Sequence, residues 1–177
     1  MRGRVELSED WGFNSGVPEG ETVPYGAIKV ANEFLRLAHA DAPPRSLTPL
    51  QLLKLVYVAH GWSLVHLQQP LLSEQAQAWQ YGPVVPSLYH AIKQFGANPV
   101  GYPIQGDTDP QELSPEALSL IAAVYKTYGH FSGVQLSNMT HQADTPWSKA
   151  WTSSGRNALI SNNSIQEHYQ KLAARAA

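Results

Sequence analysis

The sequence predicts a mainly α-helical protein, because apolar residues recur at helical spacing, several helix starts are marked by cap residues, and strand-like alternation is confined to short stretches. We expect a compact domain of about six helices at residues 24–177, arranged around a central apolar helix at 48–66. A small antiparallel β element is expected near 72–80 and 100–105. Residues 1–23 mix glycine, proline, serine and acidic residues without a period, and we interpret them as a flexible N-terminal arm.

The first two helices have the strongest patterns. The first is expected from about Tyr25 to His39, since its apolar side chains fall on one face. The second begins at Thr48-Pro49-Leu50-Gln51, which combines a capping box with proline at the first helical position. From there to about His66 the helix is apolar nearly all round. Such a helix is normally surrounded by others, so it is predicted to be the central one.

Four further helices are predicted from cap and stop residues. Serine or proline lies near each first turn, and glycine follows two of the four. The expected helices run from Pro86 to Phe95, from Ser114 to Tyr128, from Ser132 to about Thr140, and from the Ser164-x-x-Glu167 capping box onward. The segment 142–163, which contains Trp147 and Trp151, is interpreted as loop-like with at most one further turn.

Composition excludes several classes of protein. Hydrophobic residues make up 43% of the chain, enough to build a core rather than a disordered tail. The formal net charge is −2 and no basic cluster occurs, so nucleic-acid binding is not expected. The absence of cysteine excludes disulfides and thiolate sites. No apolar run is typical of a signal peptide or an uninterrupted membrane span, so we expect a cytoplasmic protein without membrane association.

Motifs for catalysis and cofactors are missing. No phosphate-binding glycine loop occurs, and the seven histidines lack metal-ligand spacing, so we predict no cofactor, no metal and no enzymatic activity. One alternative is a small hydrolase in which Asp144 orients His141 beside a serine. Because carboxylate–imidazole pairs are common without catalysis, a structural His141 at the end of the fifth helix is the favoured interpretation.

Lys54 is unusual because it lies one turn into the most apolar helix, where an unpaired charge is costly. Three interpretations are open. The amine could be a nucleophile with a lowered pKa, it could pair with Glu33 or Glu74, or its stem could carry the charge to the helix edge.

The segment Trp79-Gln80-Tyr81-Gly82-Pro83 combines a strand end, a tight turn and a helix start with large amphipathic rings. Tryptophan and tyrosine are the residue types that most often carry interface energy. The same rings could instead pack over the ends of the central helix. The residues alone leave both interpretations open.

Several motifs, taken in order, resemble the Panacea domain of SocA-like antitoxins and phage-associated proteins. The resemblance covers about residues 28–170. The family pattern is an L-T-x-x-x-L-x-K-L-x-Y helix, an A-W-x-x-G-P-V helix start followed by a tyrosine, and a late T-H-x-x-x-P-W. The matching segments here are Leu47-Thr-Pro-Leu-Gln-Leu-Leu-Lys-Leu-Val-Tyr57 with Trp62, then Ala78-Trp-Gln-Tyr-Gly-Pro-Val-Val-Pro-Ser-Leu-Tyr89, and Thr140-His141 with Pro146-Trp147. The last motif is one residue longer between histidine and proline than the family pattern.

This resemblance implies an antitoxin that neutralises a cognate protein toxin by direct binding. Family members are typically encoded beside toxins of unrelated types, and at least one delivers its toxin to an ATP-dependent protease. A protease adaptor is therefore the alternative within the same class, with that protease as a second partner. The candidate partner-binding or motif residues are Lys54, Tyr57, Trp79, Tyr81, Gly82, Pro83, Tyr89, His141 and Trp147.

Overall fold

The structure is a computed structural model in which residues 24–176 are described, and it is mainly α-helical with a small antiparallel sheet, as predicted. The predicted arm at residues 1–23 lies outside the described residues. The seven α-helices of the described part are α1 (Ala27–Ala40), α2 (Pro49–His66), α3 (Pro86–Ile92), α4 (Pro115–Tyr128), α5 (Gly133–Thr140), α6 (Pro146–Ser154) and α7 (Asn162–Ala176). Its three strands are β1 (Gln77–Trp79), β2 (Gly82–Val84) and β3 (Ala158–Leu159).

Helix α2 is the central element, as its all-round apolar character predicts. The predicted capping box forms, since the Thr48 hydroxyl accepts the Gln51 N–H at 3.4 Å and Gln51 Oε1 accepts the Thr48 N–H at 2.9 Å. Every residue at positions 52–64 is buried. Helices α1, α4, α5 and α7 surround α2, so its side chains are removed from water on all sides.

The sheet differs from the prediction in its partners. Strand β1 lies in the middle, with β2 antiparallel on one edge and β3 antiparallel on the other. The predicted strand at 100–105 is wrong. Its backbone N–H groups bond elsewhere: Val100 donates to the Leu47 carbonyl at 2.9 Å, and Ile104 donates to Asn32 Oδ1 at 2.8 Å. Pro103 has no N–H at all, so this segment is poorly suited to a ladder.

Two helix predictions near the C-terminus also need correction. Helix α6 occupies part of the segment 142–163 that was expected to be loop-like, and it is capped by Thr145, whose hydroxyl accepts the Ser148 N–H at 3.2 Å. Helix α7 begins two residues before Ser164, because Ser161 Oγ accepts the Ser164 N–H at 3.2 Å. The cap expected at Ser164 is therefore provided by Ser161 instead.

Candidate partner-binding site

Strands β1 and β2 form a hairpin whose turn consists of Gln80 and Tyr81. Neither turn residue has a positive φ, whereas Gly82 has a φ of +102°. A Cβ atom on Gly82 would lie 2.7 Å from Lys54 Nζ and 3.3 Å from Thr140 Oγ1. Both the backbone conformation and the close approach of Lys54 therefore require glycine at this position.

Four backbone carbonyl groups of the hairpin accept hydrogen bonds from side chains on other elements. The donors belong to α2, to α5 and the residue after it, and to α6. The bonds run from Lys54 Nζ to Pro83 O (2.9 Å), from Ser137 Oγ to Tyr81 O (2.8 Å), from His141 Nε2 to Gln80 O (3.1 Å) and from Trp147 Nε1 to Trp79 O (2.8 Å). Since a carbonyl only accepts, the His141 tautomer carries its proton on Nε2. We call these four side chains the hairpin clamps.

The Lys54 clamp settles how this lysine is accommodated. Its side chain is 0% exposed, and desolvation lowers the pKa of the amine to about 7. Neither predicted carboxylate partner is used: Glu33 pairs with Arg36 at 2.7 Å, and Glu74 accepts the Ala27 N–H at 2.7 Å. The amine therefore contacts a main-chain oxygen rather than an acidic side chain.

The aromatic residues of the late motif, His141 and Trp147, contact the hairpin. The Trp147 ring packs against the rings of His141 and Trp151, with ring centroids 3.7 Å and 5.4 Å away. Asp144 is exposed, and no hydrogen bond joins it to His141 within residues 24–176. The geometry gives no support to the hydrolase alternative, because the imidazole proton is directed at the Gln80 carbonyl.

Tyr57 belongs to the core rather than to a surface. It is 2% exposed, and its hydroxyl has no hydrogen-bond partner among the described residues. Burial raises the pKa of this phenol well above its ordinary value. It lines a small pocket of about 40 Å³ together with Tyr128, Thr140 and Tyr169. This candidate contact therefore lies beneath the surface.

The hairpin borders a groove of about 570 Å³ that is also lined by α2, α3 and the residues just before β3. Four candidate residues line this groove: Lys54, Trp79, Tyr81 and Tyr89. The Trp79 and Tyr89 rings meet edge to face with centroids 4.9 Å apart, and Tyr81 is 69% exposed. The structure thus brings half-buried and exposed aromatic rings together around one opening.

Comparison with known proteins agrees with the motif set. Residues 52–148 match the family described as Antitoxin SocA-like, Panacea domain. The chain belongs to this family. Antitoxin SocA of Caulobacter vibrioides (strain NA1000 / CB15N) is 35% identical over 132 residues, which cover 68% of this chain and 68% of the relative. No solved structure matches the chain significantly.

The part of this Panacea-domain protein that matches the family contains all four hairpin clamps and most of the groove. The two exposed basic residues of the groove, Lys93 and Arg156, were not predicted from the sequence. Lys93 directly follows α3 and lies four residues after Tyr89, so helical spacing indicates that the two side chains lie on the same side. Arg156 had no comparable signal, because it enters the groove only through the pairing of the unpredicted strand β3.

Within residues 24–176 of this family member, no group of three or more His, Cys, Asp or Glu side chains could hold a metal ion. No helix in the same part of the chain is long and apolar enough to cross a membrane.

Proposed function

We propose that this member of the SocA-like antitoxin family neutralises a cognate protein toxin by binding it directly. The observation that carries the proposal is the presentation of Tyr81. This residue is 69% exposed at the tip of a hairpin whose backbone is held by the four clamps. An exposed tyrosine on a preorganised backbone is well suited to an interface, because little freedom is lost when a partner binds.

The candidate residues divide into two groups under this proposal. Trp79, Tyr81 and Tyr89 present ring surface at the groove and are the proposed contacts. The remaining candidates support the hairpin or the core and act indirectly. This second group comprises Lys54, Tyr57, Gly82, Pro83, His141 and Trp147.

Coexpression of this chain and its neighbouring gene tests the proposal. We expect the product of that gene to arrest growth alone and the chain to restore growth and to copurify with it. Tyr81→Ala should weaken the complex about tenfold or more, as truncation of a tyrosine at the centre of an interface does. Tyr102→Ala is the matched control, because Tyr102 is an exposed tyrosine outside the groove. The proposal fails if the neighbouring product is harmless, or if it remains toxic and unbound in the presence of the chain.

The half-life of the toxin in these coexpressing cells distinguishes direct blocking from the adaptor alternative. Blocking predicts a stable complex and an unchanged half-life of the toxin. An adaptor instead shortens the toxin's half-life, and inactivation of the ATP-dependent protease reverses that change. A pulse–chase measurement with and without the chain distinguishes the two outcomes.

A further inference from the structure

The groove beside the hairpin has an uneven charge distribution. Its lining includes three basic side chains, those of Lys54, Lys93 and Arg156, whereas no Asp or Glu among residues 24–176 lines it. The whole chain has more acidic than basic residues, 14 against 12. The concentration of positive charge at this opening therefore runs against the balance of the chain.

The two exposed cations of the groove have no acidic partner in the described part of the chain. No carboxylate among residues 24–176 lies within ion-pair distance of Lys93 or Arg156, whereas Lys29 and Arg45 each have an aspartate partner. Arg156 donates a hydrogen bond to the neutral side-chain amide oxygen of Gln80, at 3.4 Å. Lys54, in contrast, is fully buried and donates to the Pro83 carbonyl, so it is not a surface contact.

The remaining lining is apolar and aromatic. Leu50, Leu53 and Val84 contribute aliphatic surface, and the edge-to-face pair of Trp79 and Tyr89 contributes ring surface. A volume of about 570 Å³ is within the range of pockets that bury a ligand of drug size. Two exposed cations are too few for the basic stripe that nucleic-acid binders use. The combination favours a ligand with both acidic and apolar groups.

We propose that this groove binds a segment of the toxin in which an acidic side chain adjoins an aromatic or aliphatic one. This inference rests on the proposed antitoxin function and names the chemistry of the contact. The apolar side chain enters between Leu53 and the Trp79–Tyr89 pair, and the carboxylate lies between Lys93 and Arg156. Because the clamps hold the hairpin in place, the groove needs little rearrangement to accept the segment.

A matched pair of charge reversals tests the inference. The groove variant carries Lys93→Glu and Arg156→Glu, and the control carries Lys171→Glu and Arg175→Glu on α7. All four side chains are exposed, so both variants undergo the same change in net charge at the surface. Binding of the purified toxin is titrated calorimetrically at two salt concentrations, and thermal unfolding confirms that both variants fold.

We expect the groove variant to bind the toxin at least about tenfold more weakly than the wild type, and the control to stay within about twofold. Added salt should weaken wild-type binding more than binding by the groove variant, since the groove attraction is screened. Equal affinities of the two variants would overturn the groove inference while leaving the antitoxin function intact. Absence of binding by the wild-type chain would instead overturn the proposed function.

Overlapping synthetic peptides that cover the toxin sequence give a second measurement. The bound peptides should contain Asp or Glu beside an aromatic or aliphatic residue, and the groove variant should bind them more weakly than the control does. Bound peptides without acidic residues contradict the inference. A change in sedimentation that is seen for the groove variant but not for the control also contradicts the inference. The groove would then be a contact between two copies of this chain.

Discussion

The inner and outer faces of the β1–β2 hairpin have opposite surroundings. On the inner face, Lys54 and Trp147 are buried and donate to main-chain oxygens. On the outer face, Tyr81 is largely exposed and Lys93 has no acidic partner among residues 24–176. The comparison shows that a sequence motif can combine residues that hold a backbone with residues that remain available to a partner. The inner face should govern stability, and the outer face should govern binding.

The largest expected effect on the inner face comes from Lys54→Met, measured as a function of pH. The folded-state pKa of Lys54 is about 7 and its ordinary value is 10.5, so between these values only the unfolded chain keeps the proton. Stability of the wild type should therefore rise with pH from about 7 to 10.5, by on the order of 4 kcal/mol relative to the variant. Below pH 7 the amine is protonated in both the folded and the unfolded chain, so the destabilisation caused by burying its charge reaches its full value.

Urea unfolding of both proteins between pH 6 and pH 10.5 measures this difference. Titration of buried tyrosines is common to both proteins and cancels. Lys171→Met, which removes an exposed amine, corrects for the change in net charge. Parallel curves for the wild type and Lys54→Met would show that the amine keeps its proton in the folded state.

Gly82→Ala should be the next most destabilising change, by about 3 kcal/mol, because the new Cβ adds a contact with Lys54 to an unfavourable φ. Gly106→Ala is the matched control, since Gly106 has a φ of +91° and nothing within 4 Å of its Cβ position. The control should lose about 1 kcal/mol from backbone strain alone. Denaturant midpoints measure both losses, and equal losses would show that Lys54 moves aside without cost.

Trp147→Phe should cost about 2 kcal/mol, because it removes the donor to the Trp79 carbonyl and part of a buried ring. The matched control is Trp151→Phe, which replaces the ring stacked on Trp147 by a smaller one without removing a clamp. Thermal denaturation should show a smaller loss for the control. If the two variants are equally stable, the indole hydrogen bond contributes nothing beyond ring packing.

The sequence predicted those helices whose starts carry a local signature. Thr48 with Gln51 and Ser132 with Gln135 form the expected capping boxes, because cap and partner lie within one turn. Helix α6 was missed although Thr145-Pro146 repeats the Thr48-Pro49 pattern. Strand β3 has only two residues and offers no alternation to detect.

The candidate site was predictable in its members but not in its arrangement. The aromatic segment at 79–83 and the anomalous position of Lys54 were visible in the sequence. The partner of Lys54 was not, because a backbone carbonyl is present at every residue and carries no signature of its own. The expected carboxylate partner was therefore the wrong kind of acceptor. Arg156 likewise became visible only through long-range strand pairing.

All four clamps donate hydrogen bonds to the main chain of the hairpin, and this has one more consequence. Gln80 and Tyr81 contribute only their main-chain carbonyl groups to these bonds, and their side chains take no part in them. Substitutions at Gln80 and Tyr81 should therefore leave the four clamp hydrogen bonds in place. The tip of the hairpin is therefore a suitable place to change the binding specificity of the protein. A small library of substitutions at these two positions would vary the binding surface without altering the fold.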